Sequence, residues 1–285
     1  MKYYFIAEYQ LEYPITTMCR VLEVSVSGYY AWRKRAPSLH SREDAQLAEH
    51  VKMAFENNRG VYGSPRVHAE LRAQGLHCAR KRVACLMREQ DLFAKRPRHR
   101  TITTKREPGA PVAPNLLQRD FNADQPNSKW VADTTYIWTR EGWLFLAVVL
   151  DLFSRMVVGW SMATIQDATL VAQALHMVVA RRRPQAGLLH HSDRGSTYTS
   201  ESYQALLQQE GMQASMSRTA DCYDNAAMES FFHSFKGECI DCQSFQTRAQ
   251  ARSTTFDYIE IFYNRTRRHS TIHYLSPFAY EQLMC

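Results

Sequence analysis

The run WLFLAVVLDLF, residues 143–153, constrains the fold more than any other stretch of the chain. It carries a single charge, so it belongs inside, and it is far shorter than the roughly 20 apolar residues of a membrane-spanning helix. A strand covered on both faces at the centre of a sheet meets both conditions. Upstream, WVADTTYIWT (130–139) alternates as a strand does, and REG (140–142) makes a turn. Downstream, RMVVGWSM (155–162) supplies a third strand, so the three form an antiparallel meander. The remainder reads as a helix at 167–183 with Asp167 near its start and three arginines at its end, a short strand at 187–193, a helix at 200–211, a strand at 212–217 and a helix from Asp224. The order β-β-β-α-β-α-β-α predicts an α/β fold, a mixed sheet covered by helices.

The front of the chain has another texture. Residues 1–107 hold 20 Lys and Arg against 11 Asp and Glu, whereas residues 108–285 hold 15 against 17. Such a division suits a polyanion gripped in front and a task for carboxylates behind. Within residues 1–40, PITTMCRVLEVSVSGYYAWRKR (14–35) predicts two short helices, with Met18, Val21 and Leu22 inward from the first, a break at VSVSG, and Tyr29, Tyr30 and Trp32 in the second. That is the size of a helix-turn-helix, and equally of a plain helical hairpin. Residues 41–93 make the stronger case. Ser41 would cap a helix carrying Leu47, Val51 and Phe55, the turn RGVYGSP leads to a helix with Val67 and Leu71, and GLH separates it from a helix with Val83, Leu86 and Met87 inward. Arg80, Lys81, Arg82 and Arg88 are its candidate DNA contacts. Residues 94–127 contain five prolines and read as a linker, whose basic first part, with Lys95, Arg96, Arg98 and Arg100, would follow phosphates. The core and a C-terminal helical tail occupy 128–285.

Seven cysteines, an odd number, argue against a disulfide framework. The N-terminus MKYYFIAEYQ has no secretory signal, so a soluble, intracellular protein with no membrane partner is expected.

Three carboxylates stand out. Asp133 lies inside the first strand, on one face with Val131 and Thr135, where it wants a cation. Asp193 follows the fourth strand, and strand ends are where such sheets place ligands. Glu229 borders the helical stripe Met228, Phe231, Phe232 and Phe235, with His233 and Lys236 four and seven residues on. Converging, they would offer hard oxygen ligands suited to Mg²⁺ or Mn²⁺, and two such ions can activate an attacking oxygen and stabilise a leaving one. Other candidates are weaker. Asp151 suits an Asx turn or a pair with Arg155. His190 and His191 could orient Asp193, touch DNA or simply pack. Cys239 and Cys242 have zinc-ligand spacing but no second pair. Arg265, Arg267, Arg268 and His269 form a basic knot open to phosphate or subunit contact.

WVADTTYI, LDLFSRMVVGW, HHSDRGSTY, DNAAMESFFHSFKGE and YNRTRRHSTIHYLSPFAYE occur in that order, preceded by MCRVLEVSVSGYYAWRKR and RGVYGSPRVHAELRAQG, and 35 residues separate Asp193 from Glu229. In these motifs the chain resembles, end to end, the second-reading-frame (OrfB) transposases of the insertion-sequence-three family of bacteria. Its back half is similar to the DDE catalytic core of retroviral integrases, an RNase H-like fold with a five-stranded mixed sheet. The resemblance implies that Asp133, Asp193 and Glu229 are the catalytic, metal-binding triad with two Mg²⁺ or Mn²⁺ ions, and that Lys236 contacts element-end DNA. It implies double-stranded DNA partners, namely terminal inverted repeats and a target, and cutting and strand transfer through a joined-end circle. It also implies a homodimer or larger assembly when two ends are paired, an upstream-frame protein fused by frameshifting or assisting, and a cytoplasmic, nucleoid-associated location. Arg265 and Arg268 join the candidate DNA contacts. A catalytically silent DNA-binding regulator is the alternative, which the intact acids disfavour. A stand-alone RNase H-type nuclease is disfavoured by the helical front half.

Overall fold

The computed structural model describes residues 1–95, 113–218 and 222–285. Helices α1 (Lys2–Glu8), α2 (Ile15–Val21) and α3 (Val26–Lys34) surround a small core of Ile6, Met18, Cys19 and Tyr29. Helix α1 was not foreseen; Tyr3, Ile6 and Ala7 face its core, while Tyr4 and Phe5 are exposed and blur the pattern. Helix α3 starts within VSVSG rather than after it, because the Ser25 hydroxyl accepts from the Gly28 amide at 3.0 Å and caps it. In that phase Met18 and Tyr29 are buried while Val21 and Tyr30 are exposed, against expectation.

The next three helices are α4 (Leu39–Asn57), α5 (Ser64–Ala73) and α6 (Arg80–Glu89). The cap of α4 is Ser38, not Ser41, whose amide donates to the Ser38 hydroxyl at 3.1 Å. Leu47, Val51, Val67, Leu71, Val83, Leu86 and Met87 are buried, as their spacing requires. Gly75, at φ +82°, makes the break after α5, a backbone conformation that a side chain would strain.

The sheet comprises β1 (Lys129–Thr139), β2 (Gly142–Asp151) and β3 (Val157–Ala163), then helix α7 (Ala168–Arg182), β4 (Leu189–Ser192), helices α8 (Ser196–Thr199) and α9 (Glu201–Gln209), and β5 (Gln213–Met216). Its order is β3-β2-β1-β4-β5. The first three strands pair antiparallel, while β4 pairs parallel with both β1 and β5. Strand β2 is central to the meander and buried on both faces, as its sequence demanded. Asp167 caps α7 by accepting from the Leu170 amide at 3.0 Å. Gly159 lets this helix lie on the sheet, since a Cβ there would fall 2.5 Å from the Ala174 carbonyl oxygen.

Three further helices follow: α10 (Ala226–Phe235), α11 (Arg248–Phe256) and α12 (Pro277–Met284). Each of the first two runs on into a π-helical turn, Lys236–Ile240 and Asp257–Tyr263. Trp130, Ala132 and Val149 pack on α7 and α9, whereas Val131, Ile137 and Val148 pack on the C-terminal helices. The second core continues without interruption into α4, α5 and α6. Residues 113–127, within the expected linker, lie against the sheet edge, where Leu117 is buried and the Leu116 amide donates to the Ser215 hydroxyl at 2.9 Å. Among the described residues no helix is long and apolar enough to cross a membrane.

Candidate active site

The parallel β1–β4 ladder determines the centre of the site. Ala132 pairs with Ser192, so Asp133 and Asp193 are the next residues along two neighbouring strands, about 4.8 Å apart in a regular ladder. Alternation puts Asp133 on the face of Val131, which α10 covers. Asp133 accepts from the Thr134 amide at 2.7 Å, and Asp193 from the Gly195 amide at 2.9 Å. Neither is in a salt bridge with any described residue. Burial pushes the Asp133 carboxyl well above the usual range, the like charge of Asp193 and then that of Glu229 push it further, and the Thr134 amide only partly opposes them. Burial likewise raises Asp193, against the Gly195 amide. Tyr198 is buried nearby, its phenol pushed up by burial, then by Tyr203 and both acids.

Glu229 stands in the exposed first turn of α10. Its helix is seated by Met228, Phe231 and Phe235, with Phe231 edge-on to Tyr263 at 4.8 Å and Phe235 edge-on to Tyr258 at 5.4 Å. Partial desolvation raises its carboxyl. Among the described residues no three His, Cys, Asp or Glu side chains stand close enough together to hold a metal ion. The chemistry of the donors nonetheless fits a divalent cation: two hard carboxylates repel each other and meet only amide hydrogens. Lys236 keeps the edge of Glu229, two turns or about 10 Å further along. There it is 8% exposed, donates to the Tyr136 carbonyl at 2.9 Å and lies 4.4 Å from the Tyr136 ring centroid.

The other candidates separate clearly. Arg80, Lys81, Arg88 and Lys95 are exposed. Arg82 is half-buried, paired with Asp44 and Glu43. Arg96, Arg98 and Arg100 lie outside the described residues. Arg265 is exposed, 5.6 Å from the Phe278 ring centroid. Arg268 binds Glu70 of α5 at 2.6 Å and the Tyr274 carbonyl at 2.9 Å. Arg267 is buried, donating to Glu238 at 2.6 and 2.7 Å. Asp151 is an Asx turn, accepting from the Phe153 amide at 2.8 Å, and also from the Asn127 amide at 2.7 Å and the Trp130 indole at 3.2 Å. Its expected alternative partner, Arg155, donates instead to the Phe121 carbonyl. His190 and His191 are packed: Tyr203 hydroxyl meets His190 Nε2 at 3.1 Å, and Ser215 and Ser217 hydroxyls meet the two nitrogens of His191 at 2.8 and 3.1 Å. Burial holds both imidazoles down at about 4. Cys239 is buried and Cys242 exposed, both as free thiols.

One residue escaped the sequence reading. Asp224 is wholly buried and accepts from Asn115 (2.8 Å), Arg119 (3.1 Å), and the Arg218 amide (2.8 Å) and guanidinium (3.2 Å). The Arg218 side chain above all, with Arg119 beside it, holds its carboxyl well below the usual range. The only hint in the sequence was an acid at the mouth of a helix, which a simple cap would also explain.

Residues 123–222 match the family described as Integrase core domain, residues 229–284 a second family of the same description, and residues 41–100 the HTH-like domain. The chain is 47% identical over 285 residues to Transposase InsF for insertion sequence IS3A of Escherichia coli (strain K12), covering 99% of this chain and 98% of that one. It is 43% identical over 265 residues to the Insertion element IS600 uncharacterized 31 kDa protein of Shigella sonnei, covering 93% and 97%. A solved structure of the HTLV-2 integrase catalytic core domain in complex with magnesium (trimeric form) is similar at TM-score 0.43 and 15% identity, over 55% of this chain and 97% of that one.

Proposed function

The chain belongs to the insertion-sequence-three (IS3) family of transposases, and from that premise we propose that it cuts and joins DNA at a site built from Asp133, Asp193 and Glu229. It is a DNA transposase with a polynucleotidyl transferase core. The observation that carries the assignment of the site is the placement of Asp133 and Asp193, two like charges on adjacent parallel strands with no cationic partner among the described residues. Asp133, Asp193 and Glu229 would hold Mg²⁺ or Mn²⁺, two ions to a site, which would supply the positive charge to activate an attacking oxygen and stabilise a leaving one. Asp133 and Asp193 fix the centre of the site from the rigid sheet, and Glu229 completes the acidic set from the first turn of α10. Water attacks the phosphodiester at the element's end and frees a 3′ hydroxyl. That hydroxyl then attacks a second phosphodiester, one P–O bond forming as another breaks, with no covalent protein–DNA link.

Recognition falls to the front half. Arg80, Lys81 and Arg88 on α6 face the duplex of the terminal inverted repeats, and Lys95 with Arg96, Arg98 and Arg100 follows phosphates beyond it. Arg265 adds an exposed cation. Arg82, Lys236 and Arg268 already bind protein groups, and their part in DNA contact is to hold the surface that DNA meets. Pairing two ends requires at least a homodimer, and the upstream-frame protein joins as fusion or helper in the bacterial cytoplasm, at the nucleoid.

The test is a cleavage and joining assay on labelled element ends, with Mg²⁺ or Mn²⁺ against EDTA, for wild type, Asp193→Asn and Glu229→Gln. Metal-dependent nicking lost in both variants while end binding persists is the expected result. Ends bound but never cut, even with the upstream-frame protein fused, would turn the assignment to a DNA-binding regulator.

A further inference from the structure

Glu229, itself exposed, sits in the first turn of α10, apart from the two acids at the sheet. Something must hold that turn in register with them. A set of hydrogen bonds leads from the neighbours of Asp193 to the residue just ahead of α10. Ser192, next to Asp193, accepts through its carbonyl from the Ser217 amide at 3.0 Å, and Arg194 on the other side of Asp193 donates to the Ser217 carbonyl. His191 binds the hydroxyls of Ser215 and Ser217, joining the ends of β4 and β5. Arg218 follows directly and binds Asp224 through both its amide and its guanidinium. Two residues on, α10 begins, and Glu229 is in its first turn. Asn115 and Arg119 reach the same carboxylate from the segment that lies along β5.

We propose that Asp224 is a positioning residue that sets the head of α10, and through it Glu229, against Asp133 and Asp193. The inference rests on the reading of Glu229 as a member of the acidic triad. A wholly buried carboxylate bound by two separate segments is a stiffer anchor than a helix cap, since it restrains the turn in several directions at once. The Asn115–Arg119 segment acts as a strap over the helix mouth, continuous in sequence with the basic stretch before it.

The test uses the full chain and two readouts: Mn²⁺ binding without DNA by titration calorimetry, and joining of element ends as a function of Mn²⁺ concentration. Asp224→Asn should weaken Mn²⁺ binding about tenfold, as loss of a supporting group around metal ligands does. High Mn²⁺ should restore part of the joining, while end binding stays as in wild type. A general structural defect would instead lower end binding and joining together, with no rescue by metal. If Asp224→Asn fails to fold, the Asn115→Ala/Arg119→Ala pair decides on the same two readouts, because its side chains are removed from the strap and not from the core. A folded variant with wild-type Mn²⁺ affinity and joining, beside an inactive Glu229→Gln, overturns the positioning role. A fully active Glu229→Gln overturns the reading of the triad itself.

Discussion

Two groups of charge, one buried and one half-buried, lie on the same side of the sheet, and they are finished to different degrees. Glu238 takes two hydrogen bonds from Arg267 and a third from the Tyr258 hydroxyl at 2.8 Å, while Ser234 occupies the remaining edge of the guanidinium at 2.9 Å. Arg66 of α5 stands 3.8 Å from the same carboxylate. Asp133 and Asp193 are placed side by side with amide hydrogens alone. A saturated buried pair holds the structure together. An unsaturated like-charged pair costs stability that a bound cation would offset.

The first way to break this comparison is at its saturated end. Arg267→Met leaves buried Glu238 with only the more distant Arg66 as counter-charge and should cost about 3 kcal/mol, read from urea unfolding. Adding Glu238→Gln should recover much of that loss, and no recovery would mean that shape rather than charge holds the centre together. Asp133→Asn tests the other end. Joining should fall roughly a thousandfold, equivalent to about 4 kcal/mol, with the unfolding midpoint unchanged or higher because a repulsion is removed. A drop in stability like that of Arg267→Met would erase the distinction.

Acid sharpens it further. His190 and His191, held at about 4 in the fold, stay neutral where the unfolded chain takes up protons, so their contribution is complete above about pH 6.5 and is lost as pH falls toward 4. Each is worth about 3 kcal/mol over that window. Asp133, raised in the fold, has the opposite sign, binding a proton in the native state first, so its destabilisation eases as pH falls. Urea midpoints between pH 7 and 4.5 should therefore decline overall, and less steeply in His190→Asn/His191→Asn.

The order of strands could be read because β2 has no polar face and β1 alternates, patterns that only a layered sheet can use. Asp133 stood out because a carboxylate is costly within a strand, and Asp193 because such sheets place ligands at strand ends. What stayed hidden depends on long-range partners. Lys236 keeps its expected helical edge, yet that edge meets Tyr136, which no local spacing announces. Arg268 looked like an open cation until Glu70, far away in the sequence, took it. Asp224 required knowing that residues 113–119 return to the sheet. Ser38 rather than Ser41 caps α4 because either serine satisfies the local rule, and only the path of the entering chain chooses between them.

The core shared between α4–α6 and the C-terminal helices bears on how such proteins diversify. Tyr62 donates to the Thr266 carbonyl and accepts from the Arg268 amide, Arg66 donates to the Arg268 carbonyl, and Arg59 pairs with Asp257 at 2.8 Å. The HTH-like unit is thus not a cassette. Residues 41–93 cannot be exchanged alone without breaking this joint, because its matching half lies some two hundred residues downstream. Change on the exposed face of α6 is free, whereas change in α5 and the turn before it is tied to the far end of the chain.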